Sequence, residues 1–422
     1  MLILGGNPET AALVKVANEM GVFTVVTDSN PDSPAKKVAR MSHNIDGLDV
    51  TGLIELANRE NVDGVLVGVA DILVDSYSRV CSALGFPCYA TQEIIRVLTQ
   101  KDTLKEKCRE FGIQGIPEYY LDADMKRQDI DKIKYPVVVK PVDNGGGVGI
   151  SICRQESDLR ACVEKALSFS RRKRFQVERY MQCDEITCYY TFQDGRFYLT
   201  TITDGYTTKE QGDLSPVHLG NSYPSKHIDL YLDTLHDKMC AMFSSIGILN
   251  GVLLISAFVE EGNIYVYDPG FRLQGEGSHL IANAVNGFDH RKMLVQFALT
   301  GSMGDMDLGA MNDPRLRGHH ALSLWVLLRA GVIGKIDGLE EIRNNPYVVS
   351  IVQRLFEGDV VTESMVGNEK QVLLRFYTVC ETKEKLKTVA KDMIRNIRVT
   401  DASGQNMMLK MLDVDRIWGN AP

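Results

Sequence analysis

A run of apolar residues ends in a lysine and then breaks into glycine: Tyr135-Pro-Val-Val-Val-Lys140-Pro141-Val-Asp-Asn144-Gly145-Gly146-Gly147-Val148-Gly149-Ile150. The valines predict a buried strand, and four glycines in five residues cannot continue it. A loop of this composition lets backbone N–H groups approach an anion closely, and Lys140 adds a positive charge beside it. Phosphate binding is the chemistry such an arrangement serves; a plain hairpin turn is the alternative use of the same glycines. No GxxxxGK[ST] occurs, which excludes a Walker loop, and Gly145–Gly149 followed by Ile150 does not complete the GxGxxG of a dinucleotide site.

The surrounding segments set the fold class. Over residues 1–100, short apolar runs at 1–4, 23–26, 64–69 and 86–89 alternate with helical stretches at 10–20, 53–60 and 73–84. Strands separated by helices predict a parallel, doubly wound sheet, with any ligand outside the carboxyl ends of the strands, near Gly5-Gly6-Asn7, Asp28 and residues 68–71. A helix over 101–111 is stopped by Gly112 to Pro117. Strand, glycine loop, strand, helix (156–169) and a strand ending at Glu178 then predict a small α+β module, about residues 118–182. Further strand is expected over 185–200, a long polar loop over 204–226, a helix over 231–246 and a hairpin over 251–268, turning at Glu261-Gly262. After Gly301 a third block shows strand patterns near 323–328, 372–378 and 408–412 and a helix over 383–394. The expected division of the 422 residues is 1–100, 101–300 and 301–422, consistent with roughly 100–200 residues per domain. The fold class is thus mixed: α/β at the N-terminus and α+β beyond it.

A second constellation follows the glycine loop, in Phe175-Gln-Val-Glu178-Arg179-Tyr180-Met181-Gln-Cys-Asp-Glu185. A carboxylate with apolar neighbours can accept hydrogen bonds from an exocyclic amine while an aromatic and a Met line a ring, and Glu185 can accept from hydroxyls. Surface acids on an ordinary strand are the other reading. Taken in order, Lys101-Asp102-Thr103-Leu104, the lysine-proline-glycine loop and the seven-residue spacing from Glu178 to Glu185 resemble an ATP-grasp ligase. The N-terminal segment is similar to that of carbamoyl-phosphate-synthase-like and biotin-carboxylase-like members. The resemblance implies an ATP-grasp core of two α+β modules with ATP between them. By the same resemblance, Lys101 and Lys140 contact phosphates under Gly145, Gly146, Gly147 and Gly149. Glu178 would meet the adenine amino group, Tyr180 and Met181 would offer hinge backbone, and Glu185 would bind ribose.

The metal hairpin departs from the family pattern. Where members carry Glu-x-Asn, this chain reads Asp268-Pro269-Gly270, and counting back through a symmetric turn predicts Ile255 opposite Asp268, with Ser256 one step away. Asp268 would then close an apolar face of Ile255, Ala257, Val259, Ile264 and Val266, where it needs a partner: a cation or Arg272. The resemblance implies Mg²⁺ at Asp268, bound weakly without nucleotide and mainly through the phosphates, with Glu276 a candidate replacement ligand. Arg272 is expected to grip a carboxylate or acyl phosphate with its planar fork, an ion pair with Asp268 being the alternative. Lys209, His218 and Lys226 in the polar loop are further candidates to meet an acidic substrate.

Composition excludes other classes. Lys plus Arg total 47 against 55 Asp plus Glu, a formal charge of −8, which disfavours nucleic acid and anionic membrane. Arg171-Arg172-Lys173-Arg174 suits a helix C-terminus rather than a nucleic-acid patch, and adjacent His319 and His320 diverge too far to share a metal. Nine scattered Cys without a CxxC, and the lack of a basic n-region or long apolar run, predict a cytoplasmic protein. The function expected from the resemblance is an ADP-forming, ATP-dependent carboxylate–amine ligase acting on small molecules; a homodimer is compatible with it. A non-catalytic ATP or ADP binder with an eroded metal site is the alternative. A dehydrogenase is disfavoured because Gly5-Gly6-Asn7-Pro8 lacks three-glycine spacing.

Overall fold

The computed structural model describes residues 1–142, 149–208 and 217–418, with Lys101 described by its backbone alone. Four parallel strands open the chain: β1 (Leu2–Leu4), β2 (Val25–Thr27), β3 (Met41–His43) and β4 (Val65–Val67), in the order β3-β2-β1-β4. β1, β2 and β4 are buried on both faces under flanking helices, which is why they read as unbroken apolar triplets. The run 86–89 is no strand. Its Tyr89 is a buried plug, ring centroids 5.1 Å from Tyr77 and 5.2 Å from Phe271, and so ties this unit to the next.

The small module is an antiparallel sheet of β5 (Glu118–Tyr119), β6 (Val137–Pro141), β7 (Ser151–Cys153) and β8 (Phe175–Arg179), ordered β5-β8-β6-β7. Helix Glu156–Phe169 covers one face, burying Leu159, Val163 and Ala166 against Val137, Val139 and Val177. The other face is left for the cleft.

The remaining strands are β9 (Asp184–Gln193), β10 (Arg196–Thr207), β11 (His218–Tyr223), β12 (Gly251–Glu260), β13 (Asn263–Gly270), β14 (His320–Leu327), β15 (Gly331–Asp337), β16 (Val348–Gln353), β17 (Val360–Val361), β18 (Val372–Cys380) and β19 (Arg398–Asp401). Eight of them form one sheet, β13-β12-β9-β10-β11-β14-β18-β16, and β17-β15-β19 form a smaller one. The large sheet carries strands from both sides of residue 301.

Three further expectations are corrected. The polar loop over 204–226 is in its described parts the end of β10 and all of β11, paired antiparallel from Asp204↔Ser222 to Thr207↔His218. Asp204 is buried and accepts from Ser225 Oγ at 2.5 Å and from the Lys226 amide at 3.0 Å. The strand near 408–412 reduces to an isolated bridge, Leu328↔Met408. The helix over 231–246 is two helices, Ile228–Thr234 and His236–Ser245. Among the described residues, no helix is long and apolar enough to cross a membrane.

Candidate active site

Along β6 the side chains alternate: Val137, Val139 and Pro141 are buried in the small module, while Val138 and Lys140 stand on its other face. β8 pairs with β6 so that Val138 opposes Glu178 and Lys140 opposes Gln176, making Lys140 and Glu178 diagonal neighbours. Lys140 Nζ donates to one carboxylate oxygen of Glu178; Lys105 Nζ, from helix Lys101–Glu110, donates to the other at 2.6 Å. Lys105 also pairs with Glu118. The Glu178 side chain is 3% exposed, against 14% for Lys140 and 15% for Lys105. Burial pushes the Glu178 pKa up, but the two ammonium groups outweigh it and hold the carboxyl below its ordinary range. Around this triad lies a cavity of about 380 Å³, walled by Leu104, Cys108, Ile116, Pro117, Val266 and Tyr267. An apolar slot with charge on one side suits a flat heteroaromatic ring.

The hairpin supplies the next wall. Its register slips between Ser256 and Ala257: Ala257 opposes Val266, Ser256 opposes Asp268, and Tyr267 is the extra residue of a β-bulge. The expected pairing of Ile255 with Asp268 is therefore corrected, since Ile255 opposes Pro269. The one-residue slip also reverses the face. Asp268 lies with Ser256 on the cleft side, exposed, instead of closing the buried face of Ile255, Ala257, Val259, Ile264 and Val266. Tyr267 stacks on Phe258 at 4.7 Å and donates its hydroxyl to Glu185; burial, then Glu185, raises its pKa well above normal. It lines both the small cavity and a larger one, about 870 Å³, shared by Lys140, Glu185, Asp268, Arg272 and Glu276.

Residues 117–202 match the family model described as the D-ala D-ala ligase C-terminus. The formate-dependent phosphoribosylglycinamide formyltransferase of Bacillus subtilis is 29% identical over 179 residues, 42% of this chain and 46% of that one. The chain thus spans about half the length of the curated relatives it matches. Among solved structures, phosphoribosylglycinamide synthetase from Anaerococcus prevotii superposes with a TM-score of 0.76 at 17% identity, covering 95% of this chain and 98% of that one. The biotin carboxylase domain of Hydrogenobacter thermophilus 2-oxoglutarate carboxylase, a dimer in complex with MgADP, ADP and bicarbonate, gives 0.77 at 15% identity, with 97% and 91% covered. The chain has the ATP-grasp fold.

In this ATP-grasp cleft Lys140, Glu178, Glu185, Asp268 and Arg272 come together. Gly145, Gly146 and Gly147 lie outside the described residues, as does Lys209. Gly149 closes the loop at φ +80°, where a Cβ would fall 2.7 Å from that of Phe169, so glycine is required there. Lys101 is the first residue of helix Lys101–Glu110, its side chain outside the described residues, and Lys105, one turn on, lines the smaller cavity. Of the expected hinge, the Tyr180 amide donates to the Pro136 carbonyl at 3.2 Å, and the Met181 side chain is buried with Arg179 Nε on its sulfur. Arg272 donates to Asp71, in the loop after β4, and to the Leu273 carbonyl at 3.1 Å. Glu276 accepts from the Tyr189 hydroxyl at 2.6 Å. Lys226 and His227 both hold Asp184, at 2.9 and 2.8 Å, and His227 and Lys226 outweigh burial to bring its pKa to about 2.

Sequence reasoning missed the far end of the ATP-grasp cleft, formed by Glu9, Arg354, Glu369 and Arg375. Arg375 is 1% exposed on β18, with its guanidinium 4.0 Å from the Trp325 ring centroid and donating to the Gly275 carbonyl at 2.5 Å. The available signal was a charge inside an apolar strand, Val372-Leu-Leu-Arg375-Phe-Tyr.

Proposed function

We propose that the protein is an ATP-dependent, ADP-forming carboxylate–amine ligase. The observation that carries this reading is the Lys105–Glu178–Lys140 triad beside an apolar slot, continuous through Tyr267 with a larger cavity bearing Asp268, Arg272 and Glu276. The slot fits adenine, and Glu185, engaged by Tyr267, is placed for ribose hydroxyls. Lys140 meets phosphate, and Glu178 holds both lysines extended, a role added to the adenine contact expected of it. Mg²⁺, where bound, neutralises phosphate charge; it takes one or two carboxylates and otherwise water and phosphate oxygens, which Asp268 and Glu276 satisfy.

The chemistry required is attack of a carboxylate on the γ-phosphate, releasing ADP, followed by displacement of phosphate by an amine. In such a reaction the protein contributes positioning and charge neutralisation. Arg272, held by Asp71, presents a planar donor to the carboxylate or acyl phosphate. The small module, about residues 118–182, closes over the nucleotide as a lid.

Incubation with Mg·ATP and a matrix of carboxylates and amines, followed by chromatography of the nucleotides, tests the assignment. ADP and phosphate formed only when both substrates are present support it. AMP and pyrophosphate would show attack at the α-phosphate and sink it.

A further inference from the structure

The far end of the larger cavity is built differently from the nucleotide end. Glu9, in the first turn of helix Pro8–Glu19, lies 3.1 Å from Arg375 and 3.7 Å from Arg354. Glu369 lies 3.2 Å from Arg375 and 3.4 Å from Arg354. Two carboxylates and two guanidiniums thus balance within one lining. Hydrogen-bonding capacity remains: the Nε–H donor of Arg375 is buried without a partner among the described residues, and so is Nδ1 of His218 on the same cavity.

A helix N-terminus opening on a cleft ordinarily invites a phosphate. This one does not. Pro8 lacks an N–H, Asn7 Oδ1 takes the Thr10 amide at 2.8 Å, and Glu9 sets a carboxylate in the first turn. A phosphate dianion there would face Glu9 and Glu369 while displacing them from their arginines. A ligand carrying one charge of each sign exchanges with the existing pairs and leaves every group compensated.

Resting on the ligase reading above, we propose that this end of the cleft binds a zwitterionic α-amino acid and rejects a sugar phosphate. The ammonium lies between Glu9 and Glu369, and the carboxylate takes Arg354 and the spare donor of Arg375. Nothing in this pocket is needed to hold the nucleotide, so the two readings separate by experiment.

The test is calorimetric titration of the full chain, saturated with Mg·ADP, with each of the twenty common L-amino acids and with ribose 5-phosphate. At least one amino acid should bind and ribose 5-phosphate should not. Glu9→Gln and Arg354→Lys should each weaken that amino acid at least tenfold while ADP affinity stays within twofold. Glu369→Gln, at a half-exposed side chain, serves the same purpose should the Glu9 variant fail to fold. Binding of ribose 5-phosphate, amino-acid affinity indifferent to all three changes, or no amino acid binding to a protein that binds ADP would each overturn the proposal. Failure to bind ADP would instead strike the ligase reading, and the amino-acid series would then be run without nucleotide and judged by the same variants.

Discussion

Glu178 makes its two lysines mutually dependent. With Lys140→Ala the phosphate end loses its charge, and nucleotide affinity should fall at least tenfold, about 1.4 kcal/mol, by calorimetry. Glu178→Gln leaves two nearly buried ammonium groups facing a neutral amide; removing one partner of a buried pair costs about 3 kcal/mol, readable as a lower urea midpoint at unchanged slope. Because the carboxyl is held below its ordinary value, its contribution is full above the unfolded pKa and is lost as pH falls through the folded one. On the proposed ligase reading, Asp268→Asn should lower turnover far more than ATP binding, since Asp268 lines the larger cavity and not the apolar slot; an Asp268→Asn enzyme with normal kcat would remove it from the site. Lys140, Glu178 and Glu185 were legible because motif order places them. Lys105 was not, since one lysine among several on a polar helix carries no signal until the strand facing it is known.

At the scale of elements, hydropathy revealed strands that are apolar on a buried face and hid those that are not. β11 is buried yet polar, and Asn221 and Ser222 are satisfied by Ser323 and Asp204, so a strand of the large sheet reads like a loop. The bulge at Tyr267 was invisible for another reason: register counting assumes one residue against one, and a single extra residue reverses every side chain beyond it. Gly149 shows what local geometry demands of the small module. Gly149→Ala forces a side chain into the left-handed region and against Phe169, costing about 1–2 kcal/mol. Amide exchange over residues 137–179 should quicken in that variant while β9 to β14 stay protected. Uniform quickening across both sheets would show that the small module is not an independent unit of stability.

For the molecule as a whole, two histidines buried beside the large sheet set its response to acid. Burial, reinforced by Arg291, brings the pKa of His279 to about 3, and burial brings that of His290 to about 4. Both are neutral in the fold and take up a proton on unfolding below about 6.5, so stability is complete above that pH and declines as pH falls toward 4. Each contributes a slope of up to about 1.4 kcal/mol per pH unit in that window. His290→Gln should roughly halve the decline measured by chemical denaturation between pH 6.5 and 4.5; an unchanged slope would place the acid sensitivity elsewhere. The large sheet has a further consequence. β13, beside the smaller cavity, and β18, which carries Arg375, belong to one hydrogen-bonded sheet. Recombination between relatives at residue 301 would have to re-form the β11–β14 ladder, running from Gly220↔Leu324 to Tyr223↔Ala321, with a foreign edge. Lineages sharing this layout are therefore steered toward new substrates by exchanging side chains on an inherited frame, and spliced hybrids of its halves are the variants least expected to survive.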